Sequence, residues 1–138
     1  MPRILALDHG TKRIGVALSD ELRIIAQPLE FIPAEPVEKF FERLKQLIAE
    51  KQVELIIVGM PRNLDGTYGS AGEKVREFVA ALNARLSVPI QTLDERLTSV
   101  QANHVLLQAN VRRADRKQKV DAMAAAILLQ CFLDSQTS

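Results

Sequence analysis

The chain contains no tryptophan, and one tyrosine and five phenylalanines bring its aromatic content to 4%. So few rings argue mildly against serial base stacking as a main recognition device, and favour reading of shape and backbone. Cys131 is the single cysteine, which excludes a disulfide framework and a cysteine zinc cluster. It lies within an apolar helical pattern and is expected as a small residue in or near the core. No apolar stretch is long enough to span a membrane, and Met1-Pro2-Arg3 leads into a strand without a signal-peptide layout. The expectation is a cytoplasmic protein in a reducing compartment. The net charge of +1 gives no single-signed field. Internal repeats, linkers and low-complexity tracts are also missing. With 138 residues, 47% hydrophobic, the chain reads as one domain, 1–138, with a core that needs no staples.

What is present begins with Arg3 to Asp8. Four apolar residues, Ile4 to Leu7, suggest a strand buried on both faces, and it delivers one carboxylate into the turn His9-Gly10-Thr11. A second strand runs from about Arg13 to Leu18 and a third from about Arg23 to Ile32, with short connections that favour antiparallel pairing. Pro33 and Pro36 break the pattern. A helix follows over about Pro36 to Lys51, with Phe40, Phe41, Leu44, Leu47 and Ile48 at helical spacing. Val53 to Val58 is another buried strand, and it ends in a turn-rich loop, Arg62 to Ser70. Further helices are expected over about Ala71 to Leu86, Ser99 to Gln108 and Gln118 to Leu133, with a short strand at Pro89 to Leu93. This order predicts an α/β fold: a mixed five-stranded sheet, three antiparallel strands then parallel ones, flanked by helices. Ligands of such sheets bind beyond the carboxyl ends of the strands.

Acids mark those ends. Asp8 closes the first strand and Asp94-Glu95 follows the fifth. Asp121 falls in the first turn of the last helix, in register with Ala125, Leu128 and Phe132, on or beside the apolar seam. An acid there complements the helix dipole, which explains its position along the helix but not its inward register. A helix packed across the first strand would bring Asp121 to Asp8. Carboxylates so gathered repel unless cations neutralise them, and an all-oxygen ligand set suits Mg²⁺ or Mn²⁺. Strand alternation puts Asp94 and Glu95 on opposite faces, but the strand is ending there, so the inward acid stays open, with Glu95 favoured. His9 and His104 lack ligand-spaced partners; His9 can contact substrate, tune Asp8 or simply satisfy its turn.

Bases surround the same edge: Lys12, Arg13, Arg62 and Arg96. Asn63 and Asp65 can order their loop or line a substrate groove. The segment Arg112 to Lys119 holds five bases, including Arg112, Arg113, Arg116 and Lys119, against one acid. It reads as a solvated basic loop and a candidate polyanion contact.

Four segments in order, Leu7 to Ala17, Val58 to Gly66, Asp94-Glu95-Arg96-Leu97-Thr98 and Lys119 to Ala125, resemble the motifs of the YqgF/RuvX family over nearly the whole chain. Each is weak alone; the ordered set is specific. The resemblance implies a ribonuclease H-like fold and a bacterial cytoplasmic nuclease for structured nucleic acid. Family members are assigned either to Holliday junction resolution or to maturing the 5′ end of pre-16S ribosomal RNA. It implies Asp8, Glu95 and Asp121 as the catalytic, metal-holding acids. RuvC-type enzymes carry an acid at the end of the fourth strand, where this chain reads Val58-Gly59-Met60, so junction chemistry does not transfer automatically.

The leading expectation is therefore a metal-dependent endonuclease whose partner is nucleic acid, precursor rRNA or branched DNA, working as a monomer or homodimer. A non-catalytic ribosome-assembly factor would use the basic segment and ignore the acids. An ATP-binding domain is suggested by Asp8-His9-Gly10-Thr11, but that fold closes two such domains around its nucleotide and this chain has room for one.

Overall fold

At the centre of the sheet lies β1 (Arg3–His9), with Ile4, Leu5, Ala6 and Leu7 all buried. The computed structural model describes residues 2–10, 12–61, 69–94 and 113–136, and only the backbone over 113–121. Around β1 stand β2 (Arg13–Ser19), β3 (Ala26–Pro33), β4 (Val53–Met60) and β5 (Ile90–Asp94). The order across the sheet is β3-β2-β1-β4-β5. The pairs β1–β2 and β2–β3 are antiparallel, and β1–β4 and β4–β5 are parallel. The mixed sheet expected from the sequence is the one observed. Pro28 sits on the edge strand β3 beside a register shift opposite Val16 and Ala17, where a missing amide proton costs no central ladder bond.

Pleating divides β1 between two cores. Leu5 and Leu7 join Ile14, Val16, Ile56 and Val58 under α1 (Val37–Lys51) and α2 (Ser70–Arg85). Ile4 and Ala6 join Ala17, Ala26 and Ile57 on the other face, under α3 (Arg113–Gln136). That second layer is rich in alanine on both sides, with Ala125 and Ala126 on the helix, so α3 approaches the sheet closely. Gln130 pins its C-terminal half: its amide oxygen accepts from Ala26 N at 2.9 Å, and its Nε2 donates to Ile24 O at 3.0 Å.

Two expected boundaries need correction. The third strand begins at Ala26, not near Arg23. The Asp20 carboxylate accepts the amides of Ile24 at 2.7 Å and Ile25 at 3.1 Å, and Arg23 takes φ 58°, so the segment turns instead of pairing. The last helix begins at Arg113, so Arg113, Arg116 and Lys119 lie on helical backbone and not in a loop. Arg, Ala, Lys and Gln are good helix formers, and that preference outweighs the charge repulsion. The helix expected over Ser99 to Gln108 lies outside the described residues.

Candidate active site at the carboxyl edge of the sheet

The register brings three strand ends to one edge. Leu7 pairs with Val58, Gly59 with Leu93, and Met60 with Asp94. Asp8 is therefore level with Gly59, near the ends of β4 and β5. The alternation that sends Ile4 and Ala6 toward α3 puts Asp8 on that same face. Its cross-strand partner on β2 is Gly15. Ala17 and Ile57 set the faces of β2 and β4, so Gly15 and Gly59 flank Asp8 on its own face without side chains. Asp8 itself is half-buried.

The acids that the sequence singles out are placed unequally. On β5, Ile90 packs with the α1/α2 layer and Leu93 with the α3 layer. Asp94, an even number of residues from Ile90, therefore lies on the face opposite Asp8. Glu95 lies outside the described residues. Residue 121 is on α3, one turn before Ala125 and on its face. Gln130 fixes the helix over the end of the sheet where Ala26 pairs with Ser19, whose hydroxyl accepts from Ile4 N at 2.9 Å. From there back to residue 121 is about 13.5 Å of helix at 1.5 Å per residue. From Ile4 to Asp8 is about 13 Å of strand at 3.3 Å per residue. With α3 running antiparallel to β1, these lengths would set residue 121 about level with Asp8 along the sheet.

The basic candidates sort in the same way. Lys12 and Arg13 are exposed on the β1–β2 hairpin, at the Asp8 end of the sheet. Arg13 shares the Asp8 face and lies 5.2 Å from the ring centroid of Phe31. Gly10 makes that hairpin possible: its amide donates to Arg13 O at 3.0 Å, and a Cβ there would drive into the same carbonyl. Arg62, Asn63, Asp65, Arg96 and Arg112 lie outside the described residues. Arg113, Arg116 and Lys119 are placed by backbone alone, on the first turns of α3.

One residue at this edge escapes sequence reasoning. Lys74, on α2, lines a cavity of about 290 Å³ with Asp8, His9, Pro61 and Ser70. A lysine in the exposed stripe of a helix gives no sequence signal; only the start of α2 at the strand ends brings it there. His9 stacks on Phe78, with centroids 4.7 Å apart. Burial holds its imidazole below the ordinary value; Asp8 pulls the other way and Lys74 adds to the lowering. A cleft of about 500 Å³ lies at the opposite end of the sheet beside Arg3, Ser19 and Asp20. There Asp20 is engaged by its turn and Arg3 by Glu21 at 3.4 Å.

A central strand ending in a half-buried carboxylate, in a sheet of order β3-β2-β1-β4-β5 with a helix across its face, is a ribonuclease H-like architecture. Solved structures bear out the fold. Thermus thermophilus RuvC bound to a Holliday junction superposes with a TM-score of 0.59 at 16% identity, covering 100% of this chain and 97% of RuvC. The fowlpox virus resolvase with its junction DNA gives 0.60 at 12%, covering 99% of both. The chain belongs to the RuvX family, described as Holliday junction resolvase, whose model matches residues 2–135. A relative in Desulforamulus reducens is 52% identical over 96% of this chain and 97% of its own, and one in Thermoanaerobacter pseudethanolicus is 50% identical over 97% of each. Both carry the provisional name of pre-16S rRNA nuclease. Among the described residues, no helix is long and apolar enough to cross a membrane.

Proposed function

We infer that this protein is a divalent-metal-dependent endonuclease that trims the 5′ end of pre-16S ribosomal RNA. The observation that carries this reading is Asp8, half-buried at the end of the central strand, with residue 121 one turn before Ala125 on the helix that covers that face. The relatives' name supplies the substrate. Asp8, Asp121 and Glu95 are the residues that would hold Mg²⁺ or Mn²⁺, since their carboxylate oxygens are the donors these ions take. The placement of Asp94 away from Asp8 favours Glu95 as the acid of that pair. Two such ions, held there, would supply an activated water and neutralise the leaving oxygen of a phosphodiester. Glycines on both sides of Asp8 leave room for a phosphate to come close. Lys12, Arg13 and Lys74 on the described elements draw the backbone toward the edge. Arg62, Asn63, Asp65, Arg96, Arg112, Arg113, Arg116 and Lys119 extend that contact, and the protein works in the cytoplasm.

The family description favours a second reading, symmetric cleavage of four-way DNA junctions. That needs two active sites, and therefore a stable dimer, whereas a monomer suits RNA trimming. The test is cleavage of a labelled pre-16S leader and a mobile four-way junction, each with Mg²⁺, Mn²⁺ or chelator, by wild type and Asp8→Asn. Metal-dependent RNA cleavage that Asp8→Asn abolishes is the expected result. Paired nicks in the junction would transfer the reading to DNA. Binding without cleavage of either would leave an assembly factor.

A further inference from the structure

The cavity beside Asp8 has a neighbour. A cleft of about 360 Å³ lies between α1 and α2, and His9 and Lys74 line both spaces. Its volume is within the small-ligand range of about 300–1,000 Å³. The two ends differ in chemistry. The Asp8 end carries the acid and receives Lys74. The far end is walled by Phe78 and Val37 over the buried rings of Phe40 and Phe41, with Glu35 and Glu77 also on its lining. Phe78 stands 5.7 Å from Phe40 and 4.7 Å from His9, centroid to centroid, so the chain's few rings are concentrated here. Val37 is 47% exposed at the rim, a large apolar side chain left in water.

An anionic phosphate covalently joined to a flat, largely apolar base matches this sequence of surfaces. A phosphate at Asp8 brings its neighbouring nucleotide within reach of the cleft, with Lys74 between them. A base stacked in a helix cannot enter it; an unpaired one can, and rings are sequence-tolerant platforms for it. We propose that the α1–α2 cleft holds the base of an unpaired nucleotide adjoining the scissile phosphate, with Lys74 on the intervening phosphate. The proposal rests on the nuclease reading and deepens it: the enzyme selects substrates that are unpaired at one position beside the cut.

The test walks a single abasic nucleotide across the cleavage site of the pre-16S leader RNA. Cleavage is followed as kcat/KM, and binding in chelator by fluorescence anisotropy. In wild type, one position should lose about 5- to 100-fold when its base is removed. Phe78→Leu keeps apolar bulk without the ring; it should lose a similar factor on intact RNA and nothing further on the abasic RNA. Val37→Glu, at an exposed position that leaves folding intact, should behave the same way. A profile flat within about twofold, or a positional loss unchanged in both variants, overturns the proposal. If wild type cleaves nothing, the nuclease reading fails by itself. The anisotropy profile then decides the cleft by the same two outcomes.

Discussion

The carboxylate of Asp20 closes the β2–β3 turn by accepting two amides, and those bonds hold its carboxyl below the usual carboxylate range. Because its pKa is lower in the folded state, its contribution is complete above the ordinary carboxylate value and is lost as pH falls through the folded one. Asp20→Asn removes that dependence. The difference in denaturant midpoint between wild type and Asp20→Asn should be constant above about pH 5 and shrink as pH falls toward about 3. A constant difference would mean the ionised carboxylate contributes nothing. Gly10 constrains the other end of the sheet. Gly10→Ala presses a methyl group into the Arg13 carbonyl and should cost about 1–3 kcal/mol, read from urea unfolding. The hairpin that carries Asp8, Lys12 and Arg13 would shift with it, so cleavage should fall as well.

Among the elements, α3 bears most on the proposed function, because it carries residue 121 and the cationic positions 113, 116 and 119 on one continuous helix. A basic loop would adapt to any polyanion. A helix presents its charges at fixed spacing, so those that reach phosphate do so as a set. Replacing both Arg113 and Arg116 with Gln should weaken RNA binding and lower the slope of log affinity against log salt by up to about 2. An unchanged slope would remove these residues from the interface. The anchor of this helix lies far along it. Gln130 satisfies Ala26 N and Ile24 O, and the helix runs about 13.5 Å from there back to residue 121.

On the scale of the whole molecule, the architecture is legible where the physics is local. Ile4 to Leu7 and Leu55 to Val58 are apolar without interruption, and both lie in strands covered on two faces. The Phe40, Phe41, Leu44, Leu47 spacing is a helix that buries those four residues. The boundaries missed are those where a side chain competes with the ladder, as Asp20 does, or where propensity outweighs charge, as over 113–119. The candidate site is legible only in part. Asp8 and Asp121 stand out because acids at a strand end or on an apolar seam are costly without a partner. The choice between Asp94 and Glu95 needs the pleat of β5, set by Ile90 and Leu93 on opposite layers. Lys74 needs the start of α2, which no local pattern reveals.

Asp8, Glu95 and Asp121 are proposed to act as one oxygen-ligand set. Calorimetric titration with Mn²⁺ tests it most directly, on wild type and on Asp8→Asn, Glu95→Gln, Asp121→Asn and Asp94→Asn, with melting curves to confirm the fold. The account predicts that the first three variants lose about tenfold or more in affinity while Asp94→Asn binds as wild type does. Loss in Asp94→Asn with Glu95→Gln unaffected, or undiminished binding by Asp8→Asn, would contradict it.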